Sequence, residues 1–439
     1  MQRMKPLAIL AAIAVVLSAC GGTGSSASPS GSGGGGSNVT LTIAAVQGVE
    51  DTGLKALAPM YTAKTGVKIN IVEAPYADLY TKLVNAFSAN DATYDLAMMD
   101  DPWMPKFGTM GALTPLEPLG VQKDPDVAQV VWDVGTWPPP RGPVPPSEKD
   151  KTKALLGVTI VGNVEMFMWR KDITPTGPAS YDEVLANAKA QNKSNVAGYI
   201  IRGKATNPVV ADFLPILWSF GGDVFDENWN VVFDNDKSLA AVKFLVDDLK
   251  SVAQAGPDTT DAADRDKVMA TGQGYESSVW PGEINTAVLG EGTTVTGKVG
   301  FEPIPKGPSG NGVGMMGNWM LGIPKASKNQ QAAADFIKWM LQADTQKTYA
   351  QNGGIPSRTS VLKDASLQAA NPYFSVLADA LQAPPNWRPR TDQWNAVETI
   401  MGTELNKALA GQESAQDVVT NASKQIRALM KQAGYPTAQ

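Results

Sequence analysis

Apolar and polar residues alternate near the start of the chain in short segments separated by helical spacing. Residues 39–46 (VTLTIAAV) and 67–74 (VKINIVEA) show the period of two that predicts a strand. Apolar residues three and four positions apart follow each segment, which predicts two helices. The apolar run 94–101 (YDLAMMDD) predicts a third, buried strand. Strands alternating with helices in this way predict a first α/β lobe on a doubly wound parallel sheet.

A proline-rich window interrupts this rhythm. Residues 134–157 contain six prolines, which exclude a central strand or a helix interior and predict an exposed, semi-rigid loop. The segment that follows, 158–172 (VTIVGNVEMFMWRKD), has the composition of one long strand. We expect that strand to cross from the first lobe to a second one.

The remainder of the chain predicts a second α/β lobe and a helical tail. Residues 180–183 (SYDE) form a capping box that begins a helix. Residues 276–282 (ESSVWPG) are typical of a strand that runs into a tight turn, and 317–325 (GNWMLGIPK) predict a further strand. A second capping box at 414–417 begins the last helix.

The first 20 residues have the three-part layout of a secretory signal peptide, with Arg3 and Lys5 before an uncharged apolar stretch too short to span a bilayer. Cys20 is the only cysteine, so it cannot form an intramolecular disulfide. It could be a small residue beside the cleavage site. However, Leu17–Cys20 (LSAC) resembles the bacterial lipoprotein signal, which implies that Cys20 carries a lipid anchor outside the cytoplasmic membrane. Residues 21–38, rich in Gly and Ser, predict a disordered tether.

Composition excludes several classes of chemistry. The formal net charge is −6 and no long basic run is present, so we expect no nucleic-acid partner. The sequence contains no histidine, which excludes Ser-His-Asp, Cys-His and His-zinc sites. We predict no cofactor and no metal. Catalysis by paired carboxylates stays possible.

Four stretches together resemble a known family. They are, in chain order, YDLAMMDDPWMPKFGTMGALTPLEPL (94–119), MFMWRKDI with SYDEVLANAKA (166–190), SKNQQAAADFIKWMLQADTQKTYAQNGGIPSR (327–358) and RPRTDQW (388–394). Each stretch alone is a common helix or turn pattern, but their order and the lipoprotein signal resemble the sugar-binding, maltose-binding-protein-like family of bacterial extracellular solute-binding proteins.

This resemblance implies an α/β, two-lobed periplasmic-binding-protein-like fold with cross-over hinge segments and a ligand cleft between the lobes. We expect residues 39–160 and 281–345 to form lobe one, and residues 161–280 and 346–439 to form lobe two. The resemblance also implies a carbohydrate ligand and, as partners, the permease subunits of an ABC importer. We expect a monomer that is not an enzyme.

A neutral, hydroxyl-rich ligand needs flat apolar faces for its C–H groups and polar groups that bond its hydroxyls. Tryptophans at strand ends supply the first, and carboxylates, an amide and arginines supply the second. Glu165 is the preferred acceptor, because an unpaired carboxylate within an apolar strand is unfavourable without a polar partner. The candidate ligand contacts are Glu50, Tyr76, Asp100, Asp101, Trp103, Asn163, Glu165, Trp280, Trp319, Arg358 and Arg388.

Several candidates also have a structural interpretation. The tryptophans could be packing residues, one of the paired aspartates could cap the next turn, and Glu50 could lie at a helix N-terminus. The two arginines could form salt bridges between the lobes.

Two other functions stay open at this point. The same binding fold could hold a phosphorylated polyol, a peptide or an organic acid. Alternatively, the protein could be a secreted glycosidase that uses paired carboxylates such as Asp100 and Glu165.

Overall fold

A computed structural model describes residues 39–383 and 385–436. The predicted signal peptide, Cys20 and the predicted tether all lie outside these residues. No helix in the described part of the chain is long and apolar enough to cross a membrane.

The strands of the described ranges are β1 (Thr40–Val46), β2 (Lys68–Ala74), β3 (Leu96–Asp100), β4 (Thr136–Trp137), β5 (Ala154–Leu155), β6 (Val158–Val161), β7 (Met166–Arg170), β8 (Ala197–Tyr199), β9 (Gly274–Val279), β10 (Val299–Glu302) and β11 (Trp319–Gly322). The α-helices are α1 (Thr52–Thr65), α2 (Tyr76–Ser88), α3 (Met104–Thr109), α4 (Gln129–Val134), α5 (Tyr181–Gln191), α6 (Asn207–Ser219), α7 (Asp236–Lys243), α8 (Ala262–Ala270), α9 (Pro281–Ala287), α10 (Gln330–Met340), α11 (Ala343–Gln351), α12 (Thr359–Leu362), α13 (Ala365–Ala370), α14 (Phe374–Gln382), α15 (Trp394–Leu409) and α16 (Ala415–Gln432).

The first sheet has five strands in the order β2-β1-β3-β11-β6. Strands β1, β2 and β3 are parallel, as the alternation with helices predicts. Strand β11 is antiparallel to both β3 and β6, so the sheet is mixed. The carboxyl ends of β1 and β3 therefore meet the beginning of β11 at one edge, where Trp319 pairs with Asp100.

The second sheet has four strands in the order β10-β7-β9-β8. Successive side chains of β7 point to opposite faces of the sheet. Met166 and Met168 accordingly pack into the hydrophobic core that surrounds the first sheet, whereas Phe167 and Trp169 pack into a second core.

The predicted long strand over 158–172 is wrong as a single element. The chain forms β6 in the first sheet and β7 in the second, and residues 162–165 between them are in neither strand. The backbone of these residues forms hydrogen bonds with other segments of the chain. The Gly162 amide donates to the Ile355 carbonyl, and the Glu165 amide donates to the Met315 carbonyl. The predicted crossing between sheets is correct.

Two other predictions about local structure need correction. The proline-rich window contains a short β4–β5 pairing, and Trp137 and Glu148 within it are buried, so the window is not wholly an exposed loop. A hydrogen bond joins the two buried side chains, because Trp137 Nε1 donates to Glu148 Oε2 at 2.9 Å. Pro281 begins helix α9 rather than a tight turn, because proline is well tolerated at the first helical position.

The division of the chain into lobes stays a prediction, and the packing differs from it in two segments. Side chains between Tyr349 and Leu381 pack into the core of the first sheet, although they fall in the range expected for lobe two. Strand β10, in the range expected for lobe one, pairs with β7 of the second sheet.

Candidate functional site

A cavity of about 70 Å³ lies between the two sheets. Several of its side chains follow the ends of strands in both sheets, which is where open α/β sheets usually hold ligands. The residues that line it are Glu50, Tyr76, Asp100, Asn163, Arg202, Asn207, Ala211, Trp280, Glu283, Gly317, Trp319 and Arg388.

Asp100 is the central acceptor on the wall formed by the first sheet. It ends β3, and its Oδ2 accepts hydrogen bonds from the Tyr76 hydroxyl and from Arg388 Nη1, both at 2.9 Å. Its Oδ1 accepts from the Asp101 amide, which fixes the start of the next turn. The carboxylate is therefore held in place by three donors of the protein.

Aromatic rings form the apolar part of the cavity. Tyr76 lies edge-on to Trp319, with ring centroids 5.9 Å apart, and Trp103 packs behind both rings. On the other side, Trp280 lies against the backbone of Gly317. A Cβ at Gly317 would come within 2.2 Å of the Trp280 ring, so only glycine allows this approach.

The wall formed by the second sheet carries a network of ion pairs. Arg202 bonds Asp212 and Asp261, each at 3.3 Å, and Arg265 bonds Asp212 at 3.0 Å. Arg265 also forms a buried ion pair with Glu283. The arginine charges of this wall are therefore neutralised by carboxylates of the protein.

The segment before α15 closes the cavity. Arg388 is almost completely buried, and its Nη1 donates to Asp100 at 2.9 Å and to Asp101 at 2.8 Å. Glu398 of α15 lies 4.0 Å from Arg388 Nε and accepts a bond of 3.0 Å from Asn207 Nδ2. Arg388 and Asn207 thereby connect α15 to both walls.

Glu50 differs from the other carboxylates of the cavity. It follows β1, and no side-chain donor of the described residues bonds it within hydrogen-bonding distance. Burial raises the pKa of Glu50 to about 7, and the negative charge of Asp100 adds to the rise. Near neutral pH this carboxyl group can therefore either donate or accept a hydrogen bond.

The structure brings seven of the predicted residues to the cavity. They are Glu50, Tyr76, Asp100, Asn163, Trp280, Trp319 and Arg388. Whether each contacts a ligand stays a prediction.

Four predicted residues lie elsewhere. Asp101 is buried behind the cavity, where it accepts from Arg388, and burial raises its pKa to about 7. Trp103 is buried behind Tyr76. Glu165 is buried, and this burial, with the charge of Asp212, raises its pKa well above the usual range. Arg358 bonds Asp124 and Asp126 and lines a different cavity, so the structure favours its structural interpretation.

Five residues of the lining were absent from the sequence predictions, namely Arg202, Asn207, Ala211, Glu283 and Gly317. Glu283 had a usable signal, because an acidic side chain in the first turn after Trp-Pro-Gly is typical of a helix start. Arg202 and Asn207 follow no pattern of spacing, since their positions depend on how β8 and α6 pack.

No group of three or more Asp, Glu, His or Cys side chains in the described ranges could hold a metal ion.

Known proteins resemble the chain over most of its length. A probable amino-acid ABC transporter periplasmic-binding protein from Sinorhizobium fredii is 24% identical over 383 residues, which are 85% of each chain. A mannitol-binding protein from Pseudomonas aeruginosa is 26% identical over 264 residues, which are 54% of this chain and 59% of that protein.

Solved structures share the fold. Maltose-bound MalE3 of T. maritima has 25% sequence identity and a TM-score of 0.78, and the match covers 89% of this chain and 100% of that one. The chain therefore has the two-lobed α/β fold of periplasmic solute-binding proteins. The family described as bacterial extracellular solute-binding protein matches residues 45–347. This chain belongs to that family.

Proposed function

We propose that this protein captures a neutral carbohydrate, either a sugar or a polyol, and delivers it to the permease subunits of an ABC importer. Family membership supports the role in transport. The mannitol-binding relative and the maltose-bound neighbour support a ligand rich in hydroxyl groups. The cavity between the sheets is the proposed binding site.

The charge pairing in this cavity is the observation that carries the choice of a neutral ligand. Arg388 is bonded to Asp100 and Asp101, and Arg202 is bonded to Asp212 and Asp261. A phosphate or carboxylate ligand would have to compete with these carboxylates. Burying an additional anion without a free cation is strongly unfavourable.

The polar and aromatic groups of the cavity fit hydroxyls and C–H faces. Trp280 and Trp319 line the cavity from the two sheets, and Glu50 and Asn163 offer hydrogen-bonding groups. Amphipathic aromatic rings suit a molecule with both apolar and polar surfaces.

We propose that binding acts by hinge closure. Ligand contacts with both walls exist together only in the closed form, so ligand shifts the equilibrium toward that form. The permease would then bind the closed shape and accept the ligand unchanged. In this proposal the protein is a monomer that carries out no turnover, and a lipid on Cys20 anchors it outside the cytoplasmic membrane.

A glycosidase is a weaker proposal. It would need two carboxyl groups on opposite sides of a bound sugar. Glu165 is buried behind the cavity rather than in its lining, and Asp100 is fixed by Tyr76 and Arg388.

A thermal-shift panel tests the proposal. We expect mannitol, ribitol or maltose to raise Tm, because a ligand at 100 times its Kd stabilises the folded state by about 2.7 kcal/mol. The panel also includes glycerol 3-phosphate and the standard amino acids. If only those charged compounds raise Tm, the carbohydrate proposal is wrong. Recovery of the bound sugar in a chemically changed form would overturn the absence of turnover.

A further inference from the structure

A second pocket, of about 200 Å³, lies on the other side of the segment that carries Arg388. Three segments and Trp218 of α6 form it. The segments are the proline-rich loop at Arg141–Pro143, the turn at Asp223–Trp229, and residues Asn386–Arg390. Trp387 belongs to the core of the first sheet and Trp229 to the second core, so the pocket also joins the two halves of the protein. We call it the loop pocket.

Two arginines in the loop pocket lack a carboxylate partner. Among the described residues, no carboxylate oxygen lies within 4 Å of the guanidinium of Arg141 or Arg390. Their bonded acceptors are backbone carbonyls instead. Arg141 donates to the Pro385 carbonyl at 3.0 Å, and Arg390 donates to those of Asp101 and Val134 at 2.8 and 2.7 Å.

The positive charge of this pair is concentrated and only partly compensated. Both guanidiniums lie over the Trp387 ring, Arg141 at 3.9 Å and Arg390 at 5.1 Å from its centroid. Arg390 is only 3% exposed, and its Nε–H has no acceptor among the described residues. Burial lowers the pKa of Arg390 to about 10, and the charge of Arg141 contributes to this fall, although Asp101 opposes it. Burial also lowers the pKa of Arg141, and the negative charge of Asp133 opposes this fall.

The carboxylates that line the loop pocket already accept hydrogen bonds from residues close to them in the chain. Asp223 accepts from the Val224 amide and from Trp218 Nε1. Asp226 accepts from the Asn228 amide and from the backbone and side chain of Asn230. Neither lies within 4 Å of the guanidinium of Arg141 or Arg390.

We propose that the loop pocket binds an oxyanion, the carboxylate or phosphate group of a small molecule, between Arg141 and Arg390. Guanidinium groups bind both oxyanions by charge-assisted hydrogen bonds. The tryptophans provide an apolar wall for the rest of the molecule. This site is independent of the proposed carbohydrate ligand, because Arg141 and Arg390 do not line the first cavity. A bound anion would tie the proline-rich loop to the segment that positions Arg388.

Thermal shifts with three probes test this site. The probes are inorganic phosphate and gluconate, each compared with sodium chloride at equal ionic strength, and mannitol, the uncharged counterpart of gluconate, whose own shift reports the proposed carbohydrate cavity and should not change in variants of the loop pocket. We expect phosphate or gluconate to raise Tm saturably, by about 2 °C or more. The anion that raises Tm shows whether the pocket binds a phosphate or a carboxylate. If neither anion exceeds sodium chloride, the proposal is overturned.

Two variants in the loop pocket and one control variant outside it assign the shift to this pocket. Arg141→Gln keeps a donor for the Pro385 carbonyl but removes the charge, and we expect it to lose most of the anion shift. Arg427→Gln removes a half-exposed arginine that pairs with Asp234 and does not line the loop pocket, and it should keep the full shift. Pro143→Glu leaves both arginines in place and supplies a carboxylate at the pocket wall, so it should also suppress the anion shift. An undiminished shift in Arg141→Gln and Pro143→Glu would refute the site.

Discussion

At the scale of single residues, Arg388 holds together the carboxylates behind the cavity. It bonds Asp100 and Asp101 and lies near Glu398, and all four side chains are at least 95% buried. A buried carboxylate without its cation is strongly destabilising, whereas exposed ion pairs contribute little. Arg388 therefore has a structural role whether or not it also contacts a ligand.

We expect Arg388→Met to reduce the free energy of unfolding by about 3–5 kcal/mol, because it leaves the buried Asp100 and Glu398 without their cation and Asp101 with only the charge of Arg390. Urea denaturation at pH 7 measures this loss. Arg427→Met is the matched control, since it breaks a half-exposed pair with Asp234 and should cost about 0–1 kcal/mol. Equal losses in the two variants would contradict the structural role of Arg388.

Glu50 should make stability depend on pH. Its pKa is about 7 in the folded protein and 4.5 when unperturbed, so the folded state binds more protons between these values. Stability from this group is complete below about pH 4.5 and decreases as the pH rises to about 7. Glu50→Gln removes this decrease, so the variant should gain up to about 3 kcal/mol relative to wild type between pH 4.5 and pH 8.

Urea midpoints of wild type and Glu50→Gln at pH 4.5, 6 and 8 check this difference. Glu227→Gln, at an exposed position, is the control and should show a constant difference from wild type. A constant difference for Glu50→Gln as well would show that burial does not perturb this carboxyl group.

At the scale of elements, helix α15 positions the beginning of α6 beside the cavity. Thr206, the residue before α6, has φ 73° and ψ −135°, a conformation that is strained for a β-branched residue. Gly402 of α15 lies against its backbone, and a Cβ there would come within 2.3 Å of the Thr206 carbonyl oxygen. Asn207, which follows Thr206, bonds Glu398 of the same helix at 3.0 Å.

We expect Gly402→Ala to destabilise the protein by about 1–3 kcal/mol and to weaken ligand binding, because the added methyl group displaces Thr206 and therefore Asn207. In a helix without this contact the same change would stabilise the protein by about 1 kcal/mol. A loss of stability would therefore indicate that the added methyl group meets Thr206. Urea denaturation and calorimetric titration measure both effects. Thr399→Ala, at an exposed position of α15, is the control and should change neither by much.

The elements also show how far sequence alone reaches. Periodicity correctly predicts β1, α1, β2 and α2, because their apolar faces repeat locally. It also finds side chains at strand ends, such as Asp100, since the ends of parallel strands meet at one edge. It cannot find Arg202, or the pairing of Arg358 with Asp124, because those contacts join segments that are distant in the chain. The proline-rich window is another example, since its burial depends on Trp137 meeting Glu148.

At the scale of the whole molecule, each of the two sheets contributes a tryptophan to the cavity. Trp319 begins a strand of the first sheet, and Trp280 follows a strand of the second. A ligand that contacts both tryptophans therefore bridges the two sheets. A ligand held by one wall alone would leave the other tryptophan without a contact.

We expect a saturating sugar or polyol to reduce the radius of gyration measured by small-angle X-ray scattering, because closure brings the two sheets together. Trp280→Phe and Trp319→Phe should each weaken affinity, by about 2- to 10-fold, since each removes part of one aromatic contact. Trp339→Phe is the control, because this tryptophan packs in the core of the first sheet and lines neither pocket. Loss of affinity in only one of the two cavity variants would indicate binding to a single wall. In that case the radius of gyration should not change on addition of ligand, so the scattering and the affinities test closure independently.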